Sequence, residues 1–384
     1  MVYACDWVNG AGYAAVRRRG ARIASMLAAL AATIGAAGAP AALAAAPPAP
    51  AGPCTAATEA CVDWIPLGSG AGVSRVYASH KLAKRNVKVT RALIMVHGTL
   101  RNGDLYFSTA LAAAFIGKAL DDTVVISPNF SSAAGRCADK LAPNEISWSC
   151  GGDSWRSGGV AASDPKLTSF DLVDKLVRML ADKAVFPNLK SVVIAGHSAG
   201  GQFVNRYSMA NRIHDSAGVA MSYVVANPSS YAWPDATRPL PIDDGAPANA
   251  IGGWKEETKV HDAFRFGPFD PAKAPGYDTW PYGLTERTTG YTAGISDDQL
   301  KAQLASRPIT YLLGQVDTLP LGGFDESPSA MAQGATRRAR GEAFVKYVND
   351  RLGGRAKAMI VPECGHNARC IFTTDDVMPL VFPL

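Results

Sequence analysis

Charge is scarce in this 384-residue chain: Asp, Glu, Lys and Arg make up 18% of it, against 48% hydrophobic residues. A disordered chain has the opposite balance, so a folded core is expected along most of the length. The 37 glycines and 25 prolines carry no triplet period, which excludes a collagen-like rod. No internal repeat is visible that would build a solenoid. Positive charge is also in short supply. Of the formal +5, residues 1–44 hold +3, from Arg17, Arg18, Arg19 and Arg22 against Asp6, which leaves only +2 on the rest. A body so near neutrality offers no electrostatic footprint for nucleic acid or an anionic membrane, and neither is expected as a partner. HExxH, a Walker loop, GxGxxG after a strand and any CxxC pair are all missing. No metal and no cofactor is therefore expected.

The front of the chain has the three parts of a secretory signal: the arginines, an apolar stretch over Ile23–Leu43, and small residues at Ala42-Leu43-Ala44. Pro40 and the Ala/Gly-rich composition argue against a transmembrane anchor. Residues 1–44 are read as a signal peptide and 45–58 as an Ala/Pro-rich linker. The folded domain is then 59–384, in a secreted or periplasmic protein with no stable membrane insertion after cleavage. Cysteine use agrees. With Cys5 in the leader, six remain in three sequence-local pairs, so Cys54–Cys61, Cys137–Cys150 and Cys364–Cys370 are the simplest disulfides in an oxidising compartment.

Beyond the linker, short apolar runs alternate with amphipathic stretches. Strands are expected at Arg91–Val96, Thr123–Ser127, Ser191–Ala195, Met221–Ala226, Pro308–Leu313 and Lys357–Val361. Helices are expected at Asp104–Leu120, Ser169–Ala184, Gly200–Ile213 and Ala335–Leu352, the last ended by Gly353-Gly354. Continuously apolar strands with helices between them imply a mostly parallel, doubly wound α/β sheet covered on both faces. Regular alternation fails over 227–307, which is rich in Trp, Tyr, Pro and Gly and has one clear helix at Asp297–Ala305. A segment of that length usually serves a function, and a cap over the site is expected.

Chemistry is sought just past the strand ends. Gly196-His197-Ser198-Ala199-Gly200 lies directly between a strand and a helix. Such a turn needs small neighbours and aims the serine hydroxyl outward at a helix N-terminus, where negative charge is favoured. A plain helix cap is the bland alternative. A serine needs a base, and the base needs an orienting acid. Of the histidines after Ser198, His214 closes the helix and His261 sits in the insertion, whereas His366 alone follows the last strand. Asp317 follows the strand ending at Leu313, with Asp325 and Glu326 further along the same loop. Oxyanion donors should be the backbone N–H of Ala199 and that of Thr99, or failing it Leu100, in the loop His97-Gly98-Thr99-Leu100. His97 reads as a packing or loop-orienting residue. Aromatic residues after strand ends, Trp148, Trp155, Tyr231 and Trp233, are candidates for an apolar acyl or aromatic pocket, with Leu100 and His197 beside the serine; core packing, where large aromatics are commonly buried, is the bland alternative.

The HG loop, GHSAG, Asp317 and His366, in that order, resemble the α/β-hydrolase fold, specifically its secreted serine esterases and lipases. The resemblance spans about residues 70–384. It implies Ser198 as nucleophile, His366 as base and Asp317 as orienting acid, acting on a small-molecule or polymeric ester. The segment 227–307 is then a cap-like insertion between the sixth and seventh strands of the expected fold. One departure is the loop itself, which reads His97-Gly98-Thr99-Leu100 where many esterases have HGGG. Polyester or amide cleavage by the same residues, and a non-catalytic binding role on the same fold, are the alternatives.

Overall fold

Apolar strands decide the architecture, because each must bury both faces. The computed structural model describes residues 52–151, 154–241 and 264–383. The expected signal peptide, most of the linker and the middle of the long insertion lie outside them.

Six strands run parallel: β3 (Arg91–Val96), β4 (Thr123–Pro128), β5 (Ser191–His197), β6 (Ala220–Ala226), β9 (Ile309–Gly314) and β10 (Lys357–Val361). Two strands that the sequence reading does not contain precede them, β1 (Val62–Pro66) and β2 (Val73–Ala78), both antiparallel. Each is short, and β1 is an edge strand with alternate residues exposed, so neither shows the continuous apolar run that marks the others. The sheet order is β1-β2-β4-β3-β5-β6-β9-β10. Strand β3 has β4 on one side and β5 on the other, and this reversal of winding opens a crevice at the strands' carboxyl ends.

Side chains alternate between two cores, as the two-residue period of a strand requires. Ala92, Ile94 and Val96 of β3 face one core with Val192 and Ile194 of β5, while Leu93 and Met95 face the other with Val193 and Ala195. Helices α2 (Ser169–Ala181), α3 (Ala199–Ala210) and α6 (Arg337–Leu352) cover the first through Phe170, Phe203 and Phe344. Helices α1 (Gly103–Ile116) and α7 (Ala368–Phe372) cover the second through Phe107 and Phe372. Helix α2 opens with a Thr168/Asp171 capping box, and α6 closes on Gly353 at φ 65°, the left-handed region that suits glycine. Helices α1 and α2 end earlier than the periodicity suggests, at Ile116 and Ala181.

The insertion between β6 and β9, the sixth and seventh strands of the large sheet, is not structureless where it is described. A two-stranded ribbon, β7 (Thr237–Pro241) with β8 (Phe264–Pro268), precedes α4 (Asp297–Ser306), and a one-turn α5 (Pro328–Met331) lies between β9 and α6. Tyr291 ties this segment to the body. Its hydroxyl donates to buried Asp174 of α2, which also accepts from Tyr207 of α3, each at 2.7 Å. All three cysteine pairs read from spacing are joined: Cys54–Cys61, Cys137–Cys150 and Cys364–Cys370. No helix among the described residues is long and apolar enough to cross a membrane.

Candidate active site

The turn after β5 brings backbones closer than any Cβ allows. A methyl on Gly196 would meet the Gly200 carbonyl oxygen at 2.4 Å, and one on Gly200 would meet the Val96 oxygen at 2.2 Å. Glycine at both places lets α3 start against β3, and the chain turns so sharply that Ser198 itself adopts φ 60°, ψ −120°. That conformation is costly for a residue with a side chain. Ser198 N–H is fixed on the Ala226 carbonyl of the neighbouring strand at 3.0 Å.

Ser198, His366 and Asp317 are joined in one line. Ser198 Oγ lies 2.9 Å from His366 Nε2, and His366 Nδ1 lies 2.8 Å from Asp317 Oδ2. With Nδ1 protonated and donating to the carboxylate, Nε2 is left to accept from the hydroxyl. Asp325 and Glu326 are not part of this line. Asp325 accepts from the Tyr282 hydroxyl and the Ser327 N–H, and Glu326 is exposed. His214 hydrogen-bonds Tyr223 beneath α3, and His261 lies outside the described residues.

The loops carrying the acid and the histidine are stitched together. Val316 N–H donates to Cys364 O, and Glu363 N–H to the Gln315 side chain. The Cys364–Cys370 bridge brackets His366. Two residues absent from the sequence reading complete this frame. Asn227, at the end of β6 with φ 45°, accepts from Gly314 N–H at 2.8 Å and donates to the Gly365 carbonyl at 3.1 Å. It thereby links the strand beside Ser198 to both other loops. Arg337, at the start of α6, is 1% exposed and donates to Asp317 Oδ1 (3.3 Å), Ser229 Oγ (2.7 Å), Leu321 O (2.8 Å) and Gly322 O (3.1 Å). Burial pulls its guanidinium below the usual arginine range, and the charge of Asp317 opposes that shift.

The loop after β3 lies against the serine. A Cβ on Gly98 would come within 3.8 Å of Ser198 Cβ, and Thr99 and Ser198 line one pocket. The Thr99 N–H has no hydrogen-bond acceptor among the described residues. The Ala199 N–H opens α3, where intrahelical partners are lacking. His97 organises this loop. Its Nδ1–H donates to Gly98 O and its Nε2 accepts from Phe130 N–H, each at 2.9 Å. Burial lowers its pKa to about 4, so it is neutral near pH 7.

The pocket beside Ser198 encloses about 300 Å³ and is lined by Thr99, Arg156, Gln202, Ser229, Tyr282, Gly323, Phe324 and Asp325. None of the four aromatic candidates from the sequence is among these residues, and the core-packing alternative describes them. Trp155 is buried against His97, Phe130 and Phe203, and Trp148 packs on Phe130. Tyr231 stacks on Phe344, and Trp233 packs on Phe344 and Tyr347. All four are buried members of the core beside the sheet. Leu100 points away into solvent, 75% exposed. His197 is buried behind the site, its ring centroid 4.6 Å from that of His366 and its Nδ1 3.1 Å from the Tyr106 hydroxyl. Burial, reinforced by His366 and Arg337, holds its pKa well below the ordinary histidine value. Among the described residues no cluster of His, Cys, Asp and Glu could hold a metal ion.

The model of the alpha/beta hydrolase family matches residues 93–378. No curated protein matches the chain in sequence. Among solved structures it is similar to LpqC, a poly(3-hydroxybutyrate) depolymerase from Bordetella parapertussis, at 18% identity and TM-score 0.53, over 82% of this chain and 85% of that one. It is also similar to poly(aspartic acid) hydrolase-1 from Sphingomonas sp. KT-1, at 22% identity and TM-score 0.54, over 84% of this chain and 98% of the other. At these identities the likeness speaks for the fold.

Proposed function

The chain belongs to the alpha/beta hydrolase family, and we propose that within it the protein is a secreted serine hydrolase cleaving carboxylic esters through an acyl-enzyme. The observation that carries this reading is the unbroken hydrogen-bond line Ser198–His366–Asp317, aimed at a pocket also lined by Thr99. As His366 Nε2 takes its proton, Ser198 Oγ attacks the ester carbonyl. The resulting oxyanion falls to the N–H groups of Ala199 and Thr99. His366 returns the proton to the departing alcohol, the C–O bond breaks, and water attacks the acyl-enzyme by the same relay. Asp317 keeps the imidazole in the tautomer that presents a bare Nε2.

Three local disulfides support export to an oxidising compartment, with residues 1–44 as the cleaved signal and 45–58 as a linker. Tyr282, from the segment 227–307, lines the pocket, which supports the cap reading of that insertion. A second substrate class, a polymeric ester, is favoured by exposed Leu100, Leu319 and Leu321, neighbours in sequence of the lining residues Thr99 and Gly323.

A fluorophosphonate probe combined with a p-nitrophenyl ester series tests the proposal. Labelling that disappears in Ser198→Ala, together with turnover of short esters, is expected. Labelling without ester turnover would shift the reading to amides or a specialised polymer. Folded protein that resists labelling would leave only a binding role.

A further inference from the structure

The pocket's polar lining carries a cation, Arg156, that pairs with no carboxylate among the described residues. Arg156 is the middle residue of a short 3₁₀ turn, Trp155–Ser157, whose two other side chains are buried. That turn leaves Arg156 facing the pocket. Ser154 Oγ accepts from both its backbone N–H and its Nε, at 3.4 and 3.2 Å, which fixes the stem. Its terminal amines face no carboxylate within ion-pair distance among the described residues.

The pocket's own carboxylate is already committed. Asp325 accepts from Tyr282 (2.8 Å) and from Ser327 N–H (3.1 Å). The charges of Arg337 and Arg340, both buried with their guanidinium groups on the ring of Phe324, interact favourably with it. With Asp317 also held by Arg337, the described site has one positive charge in excess, and it sits on Arg156. A purely apolar acyl group would strip water from that guanidinium and return nothing. A carboxylate would recover the loss, because the planar fork of arginine matches its two oxygens.

We propose that Arg156 selects substrates bearing a carboxylate close to the scissile ester, such as a hemiester of a short dicarboxylic acid or the acid end of a hydroxyacid oligomer. This rests on the serine-hydrolase reading of the same pocket. Its volume of about 300 Å³ keeps the spacer between ester and carboxylate short.

The test uses the Ser198→Ala protein, which binds without turnover, and compares monomethyl succinate with methyl butyrate by ligand-observed NMR. Hydrogen bonds to a charged group correspond to a preference of about 10- to 100-fold for the hemisuccinate. Adding Arg156→Met should abolish that preference, and adding Arg156→Lys should retain part of it, since lysine keeps the charge without the fork. Equal affinity for the two esters, or a preference that survives Arg156→Met, overturns the proposal. Fluorophosphonate labelling of the wild-type protein reports separately on Ser198. A dead nucleophile would sink the hydrolase reading while the anion preference is still read directly.

Discussion

Replacing Arg337 by methionine should unfold the site's frame from within. The guanidinium serves four acceptors, and they differ in what happens after its loss. Leu321 and Gly322 are exposed, so water can take over their carbonyls at little cost. Asp317 and Ser229 are 2% and 4% exposed and cannot be rehydrated without opening the loop. Breaking a buried ion pair by removing one partner costs about 3–5 kcal/mol, and an orphaned buried hydroxyl about 1–3 kcal/mol. The two share a partner and do not add fully, so a total near 4 kcal/mol is expected. Arg337→Lys keeps the charge and should lose about half of that, because an ammonium reaches fewer of the acceptors. Urea unfolding at neutral pH measures both, and ester turnover of the folded fraction should fall with them because Asp317 is no longer held. A methionine variant within 1 kcal/mol of wild type and with unchanged kcat would refute this account of the site.

Ser198→Ala and His366→Ala should lower kcat by several orders of magnitude, and Asp317→Asn by about 10³- to 10⁴-fold, with KM changing far less in p-nitrophenyl ester kinetics. Retained activity in Asp317→Asn would move the acid role elsewhere. Burial holds His97 at about 4 against about 6.5 in an unfolded chain. Unfolding therefore takes up a proton between those values, and stability should fall by up to about 3 kcal/mol as pH drops from 6.5 towards 4. His97→Gln should flatten this part of the urea-stability profile, and an equally steep profile in the variant would contradict it. Opening the Cys364–Cys370 ring with a double alanine substitution should cost about 2 kcal/mol for so short a loop and loosen His366. A thermal midpoint and kcat both unaffected would show the bridge to be idle.

The elbow, the acid and the histidine are legible in sequence because each follows a strand end within a few residues, and the winding of a parallel sheet gathers those ends at one edge. Asn227 left a weaker mark. It too follows a strand, and asparagine tolerates the positive φ it adopts, but Asn after a strand ordinarily opens a turn. Its contacts to Gly314 and Gly365 arise only once three loops meet. Arg337 left none: arginines at a helix start normally face water, and nothing in Arg337-Arg338-Ala339-Arg340 marks its three arginines as buried. The aromatic residues misled for a related reason. Hydrophobicity states that Trp155 and Tyr231 are enclosed, but not whether they are enclosed by the core or by a bound acyl group. Strands β1 and β2 escaped because pattern reading rewards long apolar runs, and an edge hairpin needs none.

Three imidazoles surround Ser198, and their environments divide the labour among them. His97 spends both nitrogens on backbone partners, and His197 is walled in behind His366. Burial disfavours the charged form of each. His366 alone has a carboxylate on one nitrogen and the serine hydroxyl on the other. On the proposed mechanism a proton leaving Ser198 passes to His366, whose other ring nitrogen faces Asp317, a carboxylate that Arg337 also contacts. On that mechanism the negative charge forms on a carbonyl oxygen held by the N–H groups of Ala199 and Thr99. The proposed mechanism therefore couples proton transfer to carbonyl attack. A solvent isotope effect on acylation that vanishes in Thr99→Pro, which lacks the N–H, would oppose it; an effect retained alongside a lower kcat is the expected outcome.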